Sequence, residues 1–315
     1  MTRSTSSPVA VSGRPSLAGA PDRTVASNLI VSLRPGQWTK NLLVFAGVLF
    51  GQRLLEPTAV AHSMAAFAIF CALSGAVYLL NDVADREQDR LHPLKATRPI
   101  ASGSLAVSTA VGVAIVLAVA ALAASFAISP AFAGVAAAYL ALQALYSKPF
   151  KHVVILDVLV LAMGFVLRAI AGAVAVAVQI SHWLLVCTLL LALFIALAKR
   201  RHEIVLLADD ASSHRPILGE YSAYLLDQMI GVVAASTLIA YIFYTVSPET
   251  QEKFGTPWLG LTIPFPLYGI FRYLYLVHRR EGGGSPADLL LTDRPLLVCV
   301  ALWAIAVALI IYRPV

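Results

Sequence analysis

The sequence predicts an all-α membrane protein, nine transmembrane helices in one bundle with an active site at its cytosolic end. Composition is the first of three observations behind that expectation: 59% of the 315 residues are hydrophobic and only 13% are charged, with a mean hydropathy of +0.80. So few polar groups cannot coat a water-soluble globule, and lipid must be the main solvent. Apolar runs of roughly 18 to 25 residues come second; each can cross about 30 Å of hydrocarbon as a helix, and they recur from end to end. Third, nearly all the carboxylates fall in segments that the charge pattern places on one side of the membrane.

Residues 1–27 are rich in Ser, Pro, Ala and Gly with scattered Arg, and lack the apolar core of a signal peptide. They are expected to form a disordered cytosolic tail, followed by a single catalytic domain over residues 28–315. The nine spans are placed at 28–50, 60–81, 105–128, 131–147, 152–177, 181–200, 223–246, 257–278 and 293–313. The first contains Pro35-Gly36, which predicts an interfacial turn before the chain dips into the bilayer, with Trp38 as the interface anchor. Cys71, Cys187 and Cys299 all lie inside spans without ligand-like spacing, so neither disulfides nor a zinc site is expected.

Lys and Arg favour the cytosolic side of short loops. Nineteen of the 23 basic residues fall in one alternating set of segments and only Arg53, Lys253 and Arg313 in the other, with Arg168 inside a span. That asymmetry predicts a bacterial plasma-membrane protein with its N-terminus in the cytosol and, after nine crossings, its C-terminus outside. The net charge of +6 then becomes a one-sided feature suited to anionic lipid headgroups and phosphorylated substrates. No nucleic-acid partner is expected. Assembly into a homo-oligomer is compatible with the sequence and not specified by it.

The second span ends in Asn81-Asp82-Val83-Ala84-Asp85-Arg86-Glu87-Gln88-Asp89-Arg90. On a continued helix, Asn81, Asp82, Asp85 and Asp89 share one face about 100° wide, and Glu87 falls roughly 240° from Asn81, outside it. Three carboxylates on one face repel each other unless a cation sits between them, and oxygen ligands of this kind suit Mg²⁺. Magnesium held by one or two carboxylates keeps positions open for phosphate oxygens. Pro93 is expected to stop the helix, leaving Lys95 and Arg98 on a turn where they can neutralise the same phosphates.

A second cluster follows the fourth span: Tyr146, Ser147, Lys148 and Lys151, with Asp157 about one and a half turns into the next helix. Asp157 would bind a second metal or orient Lys151; alternatively it snorkels to water or caps a neighbouring lysine. Arg168, eleven residues further on, is either an intramembrane functional charge or a side chain that reaches the outer interface. A third cluster, Lys199-Arg200-Arg201-His202-Glu203, is the densest cationic patch in the chain and serves either phosphate binding or orientation alone. Asp209-Asp210 superficially suggests the acidic loop of soluble phosphoribosyltransferases. It lacks the Thr-Gly phosphate turn and a βαβ context, so it is read as loop.

These residues together resemble the UbiA superfamily of intramembrane prenyltransferases over nearly the whole chain after the tail. The resemblance rests on nine helices, the Asn-Asp-x-x-Asp-x-x-x-Asp motif after the second, and the Tyr146…Lys151…Asp157 cluster after the fourth. It implies a UbiA-type helical bundle in which Asn81, Asp82, Asp85 and Asp89 hold Mg²⁺ and a diphosphate, while the helices enclose a polyprenyl chain in a lateral cleft. The sequence departs from the common pattern where most members carry a second acidic motif, since Lys199-Arg200-Arg201 stands there. Together with Leu33-Arg34-Pro35-Gly36-Gln37-Trp38-Thr39-Lys40-Asn41 and Pro93-x-Lys95-x-x-Arg98-Pro99, this resembles an actinobacterial branch of the family. That branch moves phosphoribose from phosphoribosyl pyrophosphate to decaprenyl phosphate, a step toward cell-wall arabinan.

The resemblance implies catalytic roles for Asp82, Asp85, Asp89, Lys95, Arg98, Tyr146 and Lys151. It implies substrate binding by Lys40, Asn81, Lys148, Asp157, Arg168, Lys199, Arg200 and Arg201. A reaction joining two phosphorylated substrates brings more negative charge than prenylation of a ring, which extra cations offset. The acceptor phosphate is already anionic, so no essential histidine is expected. The competing expectation is a polyprenyltransferase that joins a prenyl diphosphate to an aromatic or quinone-precursor acceptor. A transporter is disfavoured, because the acids cluster at one interface and not at the midplane.

Overall fold

The computed structural model describes residues 24–91, 95–147, 150–207, 216–279, 289 and 292–312. Helix α1 (Val25–Leu33) starts at Thr24, whose hydroxyl accepts from the amide of Ser27 at 3.3 Å. It ends where Arg34 turns left-handed at φ 54°. Pro35 dictates that end, because proline disfavours the α conformation in the residue before it and brings no amide hydrogen. The chain continues as an eleven-residue 3-10 segment (Pro35–Phe45) and a five-residue helix α2 (Ala46–Phe50). The first predicted span is therefore three short pieces and not one helix.

Helix α3 (Pro57–Ala84) is the longest. Its axis breaks at Asp85 (φ −93°, ψ 8°) before α4 (Arg86–Leu91). The hydrogen-bond ladder still crosses the break, from Asp85 N–H to Asn81 O at 2.9 Å and from Asp89 N–H to Asp85 O at 2.8 Å. A short α5 (Pro99–Ser102) leads into α6 (Val107–Ile128) and α7 (Pro130–Ser147), which meet at Ser129. Then come α8 (Leu156–Ala175), α9 (His182–Leu207) and α10 (Ala223–Val246). After α11 (Pro248–Phe254) and a 3-10 turn (Trp258–Thr262), α12 (Pro264–Arg279) and α13 (Arg294–Ile311) complete the bundle.

Among the described residues seven helices are long and apolar enough to cross a membrane: α3, α6, α7, α8, α9, α10 and α13. The first and eighth predicted spans are the two that differ, α12 being only 16 residues long. Both nevertheless link the two ends of the bundle. Arg34 pairs with Asp82 at one end, and Gln52 Nε2 donates to Ile311 O at the other, 3.2 Å away. Likewise Leu259 packs with Val307 and Ile311, while His278 meets Asp227 at the opposite end.

Helices α3 and α8 are the most enclosed, whereas α6, α7, α9 and α13 bury far fewer of their side chains. Phe70, Phe132, Tyr139 and Val44 fill the core between α3, α7 and the 3-10 segment. The tightest joint lies at Gly47 of α2 and Gly172 of α8, where a Cβ on Gly47 would overlap the Gly172 backbone and one on Gly172 the backbone of Val44 in the 3-10 segment. This joint seats the 3-10 segment directly on α8 and so fixes where Lys40 and Asn41 stand.

Candidate active site

The acidic helix end sits at the rim where Arg34 meets Asp82. Asp82 is 4% exposed and Asp89 3%. Arg34 Nη2 donates to Asp82 Oδ1. Arg98 Nη1 bridges Asp82 Oδ1 at 3.1 Å and Asp89 Oδ2 at 2.6 Å. Lys95 Nζ lies 3.9 Å from Asp89 Oδ1, and Lys151 Nζ donates to Asp85 Oδ1 at 3.2 Å. Asn81 Oδ1 accepts from Ser147 Oγ at 2.8 Å, which ties α3 to α7.

Two carboxylates on one guanidinium nitrogen must point to the same side, as the helical spacing predicts. Glu87 faces elsewhere and pairs with Arg90 at 3.1 Å, with three quarters of its side chain exposed. Across the kink at Asp85, Asp82 and Asp89 still meet on Arg98, while Asp85 pairs with Lys151 and Asn81 with Ser147.

Hard oxygen donors are present for magnesium. Among the described residues no three acidic, histidine or cysteine side chains converge as a ready-made cage; Arg34, Arg98 and Lys151 lie on the carboxylates instead. Magnesium binds through one or two carboxylates when phosphates supply the remaining oxygens. Asp82 and Asp89, held together by Arg98, fit an ion that enters with phosphate.

The second and third clusters are rearranged relative to expectation. Asp157 has no exposed surface; Arg200 Nε donates to its Oδ2 at 2.9 Å and the Tyr221 hydroxyl to its Oδ1 at 2.8 Å. Lys151 pairs with Asp85, so the expectation that Asp157 holds a second metal or orients Lys151 gives way to a buried ion pair. Burying a carboxylate demands such a partner. Arg200, 2% exposed and also bound to Glu203 at 2.7 Å, is that counter-ion and not an open phosphate receptor.

Arg201 makes two bonds to Asp227, and His278 Nε2 lies 3.1 Å from the same carboxylate, joining α9, α10 and α12. Lys199 lies 3.9 Å from Glu203 and within the field of Lys40. Tyr146 is half-buried in the last turn of α7. Lys148, Pro93, the Asp209-Asp210 loop and most of the tail lie outside the described residues.

Arg168 is 4% exposed and does not reach the outer interface. Its Nε donates to Asn41 Oδ1 at 2.7 Å, Nη1 to Gly164 O at 2.9 Å and Nη2 to the Tyr139 hydroxyl at 2.9 Å. The rings of Tyr139 and Phe165 flank the guanidinium at 4.9 and 5.2 Å. Asn41 also donates to Ser74 Oγ at 3.2 Å. Lys40, half-buried, lies in the field of Lys199, Arg168 and Arg34.

Sequence reasoning missed four members of this region as site residues: Arg34, Asn41, Tyr139 and Tyr221. Arg34 carried a signal, a cation fixed just before Pro35. Tyr221 carried none; its hydroxyl also accepts the amide of Ile155 at 2.6 Å, holding Ile155 at φ 69°, where a β-branched residue is strained. Burial, with the bond to Asp157, pushes the Tyr221 hydroxyl up to about 12, so it remains a donor at neutral pH.

Comparison with known proteins bears on this rim. Residues 41–292 match the model of the UbiA prenyltransferase family. A decaprenyl-phosphate phosphoribosyltransferase of Corynebacterium glutamicum is 33% identical over 302 residues, 93% of this chain and 89% of that protein. A protein of the same name from Mycolicibacterium smegmatis is 33% identical over 93% of this chain and 95% of its own length. Among solved structures, a UbiA homologue from Archaeoglobus fulgidus bound to DMAPP and Mg²⁺ superposes with a TM-score of 0.71. It is 20% identical and covers 91% of this chain and 100% of its own.

Proposed function

Given that the chain belongs to the UbiA prenyltransferase family, we propose that this multi-pass membrane protein transfers 5-phosphoribose from phosphoribosyl pyrophosphate to decaprenyl phosphate, releasing pyrophosphate. One observation carries the reading: the acidic helix end is ringed by Arg34, Lys95, Arg98 and Lys151, and Lys40 adds a further cation within the field of Arg34 and Lys199. That much positive charge suits two phosphorylated substrates better than one diphosphate and a neutral ring. The names of the relatives point the same way.

Asp82 and Asp89, with Asp85 and Asn81 beside them, would hold magnesium, which when bound neutralises the departing pyrophosphate. Arg98 and Arg34 exchange their carboxylate partners for phosphate oxygens, and Lys95 and Lys151 add charge from the turn and from α8's approach. An oxygen of the lipid phosphate attacks ribose C1 while the bond from C1 to the pyrophosphate oxygen breaks, its electron pair leaving with pyrophosphate. The attacking oxygen is already anionic, so no histidine is required as base.

The chain crosses the membrane nine times in this reading, the composite first pass and α12 being the two beyond the seven long helices. The rim that holds the acids faces the cytosol of a bacterial plasma membrane, in keeping with the distribution of basic residues.

The test is transfer of label from phosphoribosyl pyrophosphate to polyprenyl phosphate by purified protein. Asp82→Ala, Asp85→Ala or Asp89→Ala should each lower turnover by at least about a hundredfold, the scale of losing transition-state electrostatics. EDTA should abolish turnover and Mg²⁺ restore it. Glu87→Ala should be nearly silent; equal loss there would remove the one-face argument. Activity with a prenyl diphosphate and 4-hydroxybenzoate, and none with phosphoribosyl pyrophosphate, would replace the proposal with aromatic prenylation.

A further inference from the structure

Arg168 is a guanidinium removed from water with no carboxylate beside it among the described residues. Its partners are an amide oxygen, a peptide carbonyl, a phenol and two ring faces, all of them neutral. Charges inside a membrane helix are costly and normally pair with an opposite charge or line a substrate path. The acids of this region are already taken: Asp82, Asp85 and Asp89 by Arg34, Arg98, Lys95 and Lys151, and Asp157 by Arg200.

Lys40 is in the same position. It is half-buried, the charges whose fields act on it, Lys199, Arg168 and Arg34, are all positive, and no carboxylate forms an ion pair with it among the described residues. Asn41, the next residue, is the one Arg168 holds. The Arg168–Asn41 bond therefore fixes the turn of the 3-10 segment that presents Lys40. Arg168 is too enclosed to meet a ligand, whereas Lys40 retains accessible surface.

We propose that Lys40, positioned and reinforced by Arg168, forms a second anion subsite that takes a phosphate monoester, separate from the acidic helix end where pyrophosphate is handled. The inference rests on the function proposed above and divides the work within it. Two positive charges without counter-ions match the two negative charges of a monoester, and a lysine on a flexible stem suits a compact terminal phosphate. Both substrates in that reaction carry such a group, the lipid phosphate of the acceptor and the 5-phosphate of the donor.

Kinetics of Lys40→Met, Arg168→Met and Arg168→Lys, with each substrate varied while the other is saturating, test the subsite and name its source. Lys40→Met should raise KM for one substrate by roughly ten- to a hundredfold, the scale of a lost charge-assisted hydrogen bond, with the Mg²⁺ requirement unchanged. A rise confined to decaprenyl phosphate assigns the lipid; a rise confined to phosphoribosyl pyrophosphate assigns the 5-phosphate. Arg168→Met should copy that rise, and Arg168→Lys should restore KM to within about threefold because it keeps the charge. A purely structural Arg168 would lower kcat and yield without splitting the two KM values.

Thermal stabilisation of the detergent-solubilised protein by decaprenyl phosphate or ribose 5-phosphate, with decaprenol and ribose as neutral controls, reads binding without turnover. Stabilisation of the wild type by one phosphate ester, lost in Lys40→Met, would support the subsite even if no ribose phosphate were transferred and the reaction assignment failed. Equal KM values and equal stabilisation in wild type and Lys40→Met would overturn it.

Discussion

Arg200 lets a carboxylate lie fully buried where α8 begins, and its removal should be felt in folding before chemistry. Arg200→Gln leaves Asp157 charged and uncompensated, a change that costs about 3–5 kcal/mol at buried ion pairs. We expect a large fall in thermal stability, with most of it regained in the double variant Asp157→Asn/Arg200→Gln. A single variant with normal melting and specifically impaired substrate binding would return Arg200 to the role of phosphate receptor. The run Lys199-Arg200-Arg201 reads as one patch, yet Arg200 answers Asp157 and Arg201 answers Asp227, while Lys199 shares Glu203 with Arg200. That division was illegible beforehand, because Asp157 and Arg200 stand 43 residues apart and Arg201 and Asp227 26 apart, and charge alone does not say which cation meets which acid. The acids on α3 and α4 were legible because their spacing is local and helical periodicity alone places them on one face.

At the scale of elements, the joint between Gly47 and Gly172 holds the first pass against α8. Gly172→Ala should destabilise the fold by about 1–3 kcal/mol or more, as overpacking does in a close-packed interior, seen as a lower unfolding midpoint in detergent. Gly112→Ala on α6, where an added Cβ meets nothing within 4 Å, is the control and should be neutral or slightly stabilising. Equal behaviour of the two would remove the contact's importance. The long helices could be read from the sequence because hydropathy and length are what a lipid span requires. Pro35 announced a break in the first, but the 3-10 winding after it left no sign. Apolar composition is the same for either hydrogen-bond pattern, and what holds this one is backbone contact with an element far along the chain.

As a whole, the molecule has two unlike rims. One carries most of the acids and most of the cations that answer them; at the other, Arg53 donates to Val176 O at 2.5 Å and pairs with Glu56, and Lys253 donates to Gln179 O at 3.2 Å. The proposed nine crossings would put the chain's two ends on opposite sides, so a C-terminal reporter that works only in the cytoplasm should stay dark and one that works only outside should be active. The reverse result would remove one crossing, the composite first pass or α12 being the candidates. That first pass also bears on biogenesis. Its helices, of nine and five residues, are each too short to cross a bilayer, and it carries Lys40 and Asn41 into the interior. Its seat is Gly172, and its polar partner, Arg168, is 127 residues later than Asn41. This segment thus cannot settle on its seat until α8 has been made, and the order of synthesis differs from the order of assembly.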